Sequence, residues 1–516
     1  MNSNYTSLQS NNLTLAWLKL SIISLGFAGL YSIVLVVLRT PQLASFSPNP
    51  HIFKSALIIH VDLSVLIWLL SITASVWGSE SSLRGAKRRG NLVKHPEIAT
   101  LLLVARNDTF HLYPKLTFFA TILIAISPIA GHNPVMNNYI PMLENIIFVL
   151  GLSLFGITLL LYALNILYLF DWANWSGLVN FTILSTIIMF ILTWVCFWCS
   201  YNDLQNVIQI IPIEIEFYYE LLFWSGGHLL QFIYTQIAMF IWIMLFEKLI
   251  GKESKFQKFY LFLLYLNFVF STLIIWGHIS YDIIDGNFKE FYTNHMKYLG
   301  GIAPGLCVGG IVVESLCHCS VIASDYKERG NLRMFAEIAS SIAMQFPRND
   351  DIIKSTLLCS ISLFLLGGLI AMNISGINVV IPAHYHGSIV GISIACMGYC
   401  YQSVILRLDR GILEHNLRYK IPRSSRGMTL ITAHGVTMTT TLYLLTFGQI
   451  LHILGLAFAG GYGVMRKDPN TVMPLSAKLL MGMMGGGGLI AIVGGLMFVY
   501  ICGKTIFLKN KQNYDD

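Results

Sequence analysis

Long hydrophobic stretches follow one another along the chain and are separated by short polar segments. A membrane-spanning helix needs about 20 apolar residues, and twelve stretches reach that length. They lie near residues 15–38, 55–77, 112–131, 142–170, 179–200, 217–247, 257–281, 291–323, 354–376, 381–405, 428–457 and 476–507. The alternating apolar and polar signature of an outer-membrane barrel is absent. The pattern therefore predicts an all-α polytopic membrane protein with twelve transmembrane helices.

Basic residues gather in alternate connections between these segments. Clusters of Lys and Arg follow segments two, six, eight and ten, and the C-terminal tail adds Lys509 and Lys511. The connections between them are neutral, acidic or lightly basic, for example Asp203 and Glu214 before segment six. Because cytoplasmic loops retain Lys and Arg, we expect both termini to be cytoplasmic. The net charge of +7 is thus explained by topology, and nucleic acid is not implied.

The composition agrees with a chain that is almost wholly embedded in a bilayer. It is 55% hydrophobic and 11% charged, with a mean hydropathy of +0.65, values typical of polytopic membrane proteins rather than soluble enzymes. The longest polar connection, near 324–353, is too short for a soluble domain. We therefore expect residues 1–516 to form a single membrane domain. The first dozen residues lack a basic region and a cleavage site, so segment one is predicted to be retained.

Six histidines occur in the hydrophobic segments, and the threading places all of them in the outer half of the bilayer. They are His60, His228, His278, His295, His384 and His386. Neutral imidazole is a common ligand for heme iron, copper and non-heme iron. A polar ring in lipid is tolerated only where it is paired or faces the protein interior. Six rings at one depth therefore indicate metal centres.

Three of these histidines return to a similar depth on neighbouring segments. His228 precedes the turn near residue 253 by 25 residues, and His278 follows it by 25. Segments seven and eight turn near residue 286, with His278 eight residues before and His295 nine after. A metal site with three histidine ligands is therefore geometrically available.

His384 and His386 predict a different arrangement. Two residues along an α-helix rotate by about 200°, so these two rings point to opposite sides of segment ten. One metal cannot take both rings, but two cofactors that flank the helix could take one each. His60 enters segment two at the matching depth and could complete a six-coordinate heme suited to electron transfer, while the other heme keeps an open face. His452, nearer the outer depth than the remaining histidines, is a spare ligand.

Three motifs resemble the catalytic subunit of the heme-copper oxidase superfamily, whose members share twelve helices. Ala383-His-Tyr-His-Gly387 is similar to the paired-histidine motif of helix ten. Trp224-Ser-Gly-Gly-His-Leu-Leu-Gln231 resembles the helix-six motif that supplies the first ligand to the second active-site metal, and Trp276-Gly-His278 resembles the end of helix seven. The resemblance covers nearly the whole chain.

This resemblance implies two hemes of the b type and one further metal. His384 would bind the high-spin heme, and His60 and His386 would share the low-spin heme. His228 and His278 would bind copper or non-heme iron. Electrons would pass from the low-spin heme to the high-spin heme and second metal, where a small gas substrate is reduced.

The first departure from the family lies at the end of segment seven. The family has two adjacent histidines there, but Ile279 follows His278 in this chain. His295 is the candidate for the missing ligand of the second metal. The alternative for His295 is a histidine at a loop edge that is hydrogen-bonded to backbone.

The second departure concerns a tyrosine that many oxygen reductases place four residues after the helix-six histidine. Phe232 stands there, and Tyr281 is either its substitute or a tyrosine at the membrane interface. Nitric oxide reduction takes two electrons rather than four and needs no such phenol. The nitric oxide reductases have a glutamate at the Phe232 position, which this chain lacks, so it resembles a divergent branch.

The leading expectation is therefore a terminal respiratory oxidoreductase that reduces nitric oxide to nitrous oxide, as in denitrification. The alternatives are an oxygen-reducing cytochrome oxidase subunit I and a noncatalytic heme electron carrier. A secondary transporter would explain the hydropathy but not the histidine layer. The expected electron donor is another subunit, cytochrome c, a cupredoxin or a quinol. The chain would lie with other membrane subunits of a respiratory complex in a bacterial-type inner membrane or an equivalent energy-transducing membrane.

Charged residues in and near the segments are candidates for proton supply and heme binding. Glu314, Lys297 and Asp62 are candidates for a proton path, although Asp62 and Lys297 could instead be solvated or pair with heme propionates. Arg466 and Lys467, in the outer loop after segment eleven, are predicted to bind propionates, because the family uses basic residues there.

Overall fold

The computed structural model describes residues 12–40, 50–78, 96–328, 349–419, 426–466 and 473–507. Within them, twelve helices are long and apolar enough to cross a membrane, which confirms the predicted all-α membrane fold. We number these spans in chain order. They are Asn12–Arg39, His51–Trp77, Phe110–Ala130, Ile146–Leu169, Leu178–Ile208, Ile215–Ile250, Gln257–Ser280, Gly286–Cys317, Asp350–Ala371, Val380–Val404, Val436–Gly461 and Leu475–Phe507.

The helices themselves extend beyond several of these spans, and some spans contain more than one helix. The α-helices are Asn12–Arg39, Pro50–Val61, Trp68–Trp77, Pro96–Ile126, Ile146–Leu169, Leu178–Ile208, Ile215–Ile250, Gln257–Thr272, Trp276–Ser280, Gly286–Leu299, Ile302–Glu328, Asn349–Ala371, Val380–Tyr419, Arg426–Gly461 and Leu475–Phe507. Short 3₁₀ turns lie at Ser127–Ala130, Trp172–Asn174 and Leu273–Ile275. Strands Pro134–Val135 and Met142–Leu143 pair antiparallel in the loop between spans three and four.

Span six is the central helix of the bundle. In the most apolar 18-residue stretch of span six, 89% of the residues are buried, whereas in the corresponding stretch of span one 33% are buried. Such a helix is apolar on every side because it contacts protein all around. Gly251 ends it with a φ of 69°, a left-handed conformation that glycine adopts without steric cost. His228, Phe232 and the motif from Trp224 therefore lie in the middle of the protein rather than against lipid.

Span two changes its helical repeat directly after His60. Residues Asp62–Ile67 form a π-helix between the α-helices Pro50–Val61 and Trp68–Trp77. Single π-turns of this kind occur mostly within α-helices and often at functional sites. Asp62 is fully buried, and neither of its carboxyl oxygens has a hydrogen-bond partner among the described residues. Asp62 therefore does not lie at the outer surface of the protein.

Spans nine and ten pack closely at the paired-histidine motif because glycines face one another. A Cβ atom on Gly367 would lie 2.3 Å from the Ser388 nitrogen. One on Gly387 would lie 2.4 Å from the Gly367 Cα atom, and one on Gly391 would lie 2.7 Å from the Phe364 nitrogen. Small residues permit such backbone contact between membrane helices. This contact fixes the position of His384 and His386 relative to span nine.

Candidate functional site

A cavity of about 420 Å³ lies between spans one, two, six, ten, eleven and twelve. Three histidines line it, one each from spans two, ten and eleven. They are His60, His386 and His452. Much of the remaining wall is aliphatic, including Leu25, Leu57, Leu230, Ile389 and Leu456. The cavity is therefore an apolar chamber with a few imidazole groups in its wall.

His60 and His386 are held in one defined tautomer. The His60 Nδ1 atom is 2.9 Å from the carbonyl oxygen of Ala28, and the His386 Nδ1 atom is 2.8 Å from that of Pro382. A carbonyl oxygen only accepts, so each Nδ1 carries the hydrogen and each Nε2 keeps its lone pair. Metal-binding histidines are commonly oriented in this way by their other nitrogen.

Two guanidinium groups lie in the wall of the same cavity. Arg466 donates from Nη2 to the Asn138 side chain over 2.8 Å, and Arg39 donates from Nη2 to the Met465 carbonyl over 2.7 Å; both line the chamber. The sequence predicted a role for Arg466 but not for Arg39. In the sequence, Arg39 is distinguished only by its position at the end of span one. Lys467 lies outside the described residues.

This donor set fits a heme. Imidazole nitrogens with free lone pairs suit the axial positions of the iron, aliphatic side chains suit the macrocycle, and guanidinium groups suit its carboxylate substituents. His60 and His386, which the sequence assigned to a low-spin heme, line one cavity.

His384 lies outside this chamber. Its Nδ1 atom is 2.9 Å from the carbonyl oxygen of Gly367 in span nine, whereas its neighbour His386 lines the cavity. The two rings thus leave span ten in different directions, as expected for residues two positions apart. The bond to Gly367 again leaves the Nε2 lone pair of His384 unprotonated.

His228 is hydrogen-bonded at both ring nitrogens. Its Nδ1 atom is 2.7 Å from the Trp224 carbonyl oxygen, so the Tyr139 hydroxyl donates to Nε2 over 2.8 Å. Gly227 makes room for this tyrosine, since a Cβ there would lie 2.2 Å from the Tyr139 Cγ atom. Burial raises the pKa of Tyr139 well above its usual range. Tyr139 was not selected from the sequence because it lies in a loop.

His278 forms a separate polar cluster. Its Nε2 atom is 2.9 Å from the Ser225 hydroxyl, and its Nδ1 atom is 3.8 Å from the Asp203 carboxylate. The ring of Tyr292 packs near both histidines, with its centroid 5.8 Å from that of His228 and 6.0 Å from that of His278. A tyrosine ring is therefore in contact with two of the predicted ligands to the second metal.

His295 donates from Nε2 to the Phe270 carbonyl oxygen over 2.8 Å and packs against Phe232 with a centroid distance of 5.2 Å. This is the backbone-bonded arrangement considered as the alternative to metal binding. Across the part of the chain that the structure describes, no group of three or more His, Cys, Asp or Glu side chains is arranged to hold a metal ion. The structure thus does not bring His228, His278 and His295 together around one point.

The structure does not bring the other predicted catalytic residues to the histidines either. Tyr281 is 36% exposed and packs against Phe291, with ring centroids 5.8 Å apart. Glu314 accepts hydrogen bonds from the Ser254 hydroxyl and, over 2.8 Å, from the Lys255 amide. It thereby stabilises the turn between spans six and seven, at the opposite end of span six from His228.

The chain is similar in fold to a solved protein structure and in sequence to two other proteins. A heme-copper terminal oxidase dimer solved by cryo-EM superimposes with a TM-score of 0.61, at 12% identity, over 96% of this chain and 84% of that chain. The fold is that of this class of oxidase. No protein-family model matches the chain.

Two protein sequences are similar over most of their length. Uncharacterized protein RP382 of Rickettsia prowazekii (strain Madrid E) is 65% identical over 508 residues, which is 96% of each chain. An uncharacterized protein of Aquifex aeolicus (strain VF5) is 23% identical over 393 residues, covering 75% of this chain and 83% of the relative. The chain belongs to the same family as RP382 and is a multi-pass membrane protein.

Proposed function

We propose that this chain is a membrane oxidoreductase of the heme-copper oxidase type that transfers electrons through a low-spin heme. One observation carries the proposal: His60 and His386, each with its Nδ1 hydrogen bonded to a backbone carbonyl, line one apolar cavity. The heme-copper oxidase fold supports it independently.

Each group in the cavity has a defined task in this proposal. His60 and His386 would bind the iron through Nε2, and Arg39 and Arg466 would bind the carboxylates. A bound heme supplies reversible one-electron transfer. The backbone bonds at Ala28 and Pro382 hold both imidazoles in place, which keeps the coordination unchanged between redox states. The aliphatic walls exclude water, and coordination by both His60 and His386 would leave no position on the iron for a gas substrate.

The predicted ligands of the second metal are less well arranged than those of the heme cavity. The His228 Nε2 atom accepts from Tyr139, and the His278 Nε2 atom is bonded to Ser225. His295 is bonded through Nε2 to Phe270, and its Nδ1 atom, like that of His278, has no hydrogen-bond partner among the described residues. Since these described side chains do not form a group of three around one point, the electron carrier is the leading candidate and gas reduction the second. The donor and acceptor of the electron would be another subunit, a soluble protein such as cytochrome c or a cupredoxin, or a quinol.

The heme content of the purified protein tests this proposal. We expect one low-spin heme per chain in the reduced optical spectrum and in ferric electron paramagnetic resonance. Copper and non-heme iron should fall below about one tenth of an atom per chain in metal analysis. A second, high-spin heme in equal amount would refute the electron-carrier assignment, and a heme-free protein would refute the heme site as a whole.

Gas reduction is the second candidate, and the phenols around His228 are the observation that favours it. Tyr139 donates to His228, and the ring of Tyr292 packs near both His228 and His278. Hydroxyl groups next to an imidazole cluster can supply protons to a reaction there. Tyr139 and Tyr292 are also phenols close to His228. Oxygen reduction therefore does not lack a nearby phenol, although Phe232 stands where many oxygen reductases have their tyrosine. Nitric oxide as substrate therefore stays a prediction.

Turnover with the two gases tests the second candidate. If it is correct, the reduced protein forms nitrous oxide from nitric oxide under anaerobic conditions and consumes little oxygen. Tyr139→Phe should then lower the rate about tenfold or more, since general acid catalysis contributes at least that much. Tyr281→Phe is the control, because Tyr281 lies apart from His228. Oxygen consumption without nitrous oxide would transfer the chain to the oxygen reductases.

A further inference from the structure

The heme cavity contains one imidazole more than a low-spin heme requires. His452, from span eleven, lines it together with His60 and His386. The His452 and His386 ring centroids are 4.5 Å apart, with the ring planes at 43°. Two imidazoles, one from span ten and one from span eleven, therefore occupy the same part of the wall.

His452 is oriented as a metal-binding histidine would be. Its Nδ1 atom is 2.9 Å from the Met484 carbonyl oxygen in span twelve, so Nδ1 carries the hydrogen and Nε2 keeps its lone pair. Gly488 allows this close approach, since a Cβ there would lie 3.1 Å from His452 Nδ1. The ring is thus fixed by two neighbouring helices and presents the same nitrogen as His386.

The bond to Met484 satisfies one nitrogen of the buried His452 ring. The other nitrogen needs a partner as well, because a buried polar atom without one costs desolvation energy. Here the second nitrogen is left to a cavity that already contains two suitable ligands. Both His386 and His452 are neutral in the tautomer observed, so one can replace the other at a metal without a change of charge.

We propose that His386 and His452 are alternative axial ligands, either of which completes the coordination of the heme iron together with His60. This inference rests on the proposed heme site. It makes span eleven part of the site and gives the heme two six-coordinate forms. The two forms differ in the helix that bears the ligand.

Ferric electron paramagnetic resonance and optical spectra of four variants test the inference. His386→Gln and His452→Gln should each keep a six-coordinate low-spin heme, and the His386→Gln spectrum should have shifted g values. The double variant should be five-coordinate and high-spin. His132→Gln is the matched control, because His132 is bonded to Ser55 and lies outside the cavity; its spectrum should equal that of the native protein.

A high-spin heme in either single variant would overturn the inference and leave the heme site itself intact. A native protein without heme would instead refute the proposed function, so the two failures are distinguishable. If His386→Gln does not insert into the membrane, His386→Leu replaces it, since leucine restores an aliphatic contact at this wall. Size-exclusion profiles of all variants in detergent show which of them are folded.

Discussion

His60→Ala is expected to abolish the low-spin heme spectrum. His60 is the cavity histidine contributed by span two, and the other two lie side by side with their ring centroids 4.5 Å apart. We therefore expect neither of these two rings to take its place. Loss of a hydrogen-bond partner of a metal ligand already costs about 10–100-fold in affinity, so loss of the ligand itself should cost more. Heme content per chain and the ferric electron paramagnetic resonance spectrum measure the effect.

His132→Ala is the control for this experiment. It also removes one histidine, but from the loop between spans three and four, where the ring is 3.1 Å from the Ser55 hydroxyl. We expect unchanged heme content and spectrum. A low-spin spectrum that survives in His60→Ala would show that the iron is bound elsewhere, and the assignment of the cavity would have to be abandoned.

Gly367→Ala is expected to destabilise the protein strongly. The added Cβ would lie 2.3 Å from the Ser388 nitrogen and 2.9 Å from the His384 carbonyl oxygen, which are backbone atoms that cannot turn aside. Spans nine and ten must then separate, and overpacking of this kind costs about 1–3 kcal/mol or more. A thermal unfolding midpoint lowered by several degrees in detergent is the expected result.

Gly368→Ala is the matched control in the same helix. A Cβ at Gly368 would have no atom within 4 Å, and alanine favours the helix over glycine by about 0.5–1 kcal/mol. We expect an unchanged or slightly raised midpoint. Equal midpoints for the Gly367 and Gly368 variants would contradict the close contact between spans nine and ten.

Span positions could be predicted from the sequence because length and apolarity alone define a membrane helix. The stretch near 257–281 corresponds to the span Gln257–Ser280, and the stretch near 476–507 to Leu475–Phe507. Counting residues from each turn also gives depth, so His60 and His386 could be assigned to one layer. Their presence in one cavity agrees with that count.

Depth is only one of the two coordinates that place a side chain on a membrane helix. The other is the rotation of the helix about its axis, which could not be predicted from the sequence. The sequence assigns His228, His278 and His295 to one depth, but in the structure their rings are hydrogen-bonded to Tyr139, Ser225 and Phe270. That rotation depends on packing between spans distant in sequence.

The same limit explains why His452 could be named only as a spare ligand and why Arg39 was not selected. Both residues reach the cavity because spans one, eleven and twelve pack together there. Glu314 was selected for its charge within an apolar segment. Its role at the turn of Ser254 and Lys255 follows from a contact between span eight and the turn after span six, which no local pattern reveals.

The π-helix after His60 lets the two ends of span two face in different directions. Each turn of Asp62–Ile67 contains one residue more than an α-turn, and one residue corresponds to about 100° of rotation. His60 is therefore offset by that angle from the register of Trp68–Trp77, whose residues are all buried. The helix Pro50–Val61 can therefore face the cavity while the helix Trp68–Trp77 keeps its own contacts. Substitutions could thus accumulate in the part before the π-helix or in the part after it without disturbing the contacts of the other part. An insertion or deletion of one residue within 62–67 would instead rotate one part relative to the other and disturb the contacts of both.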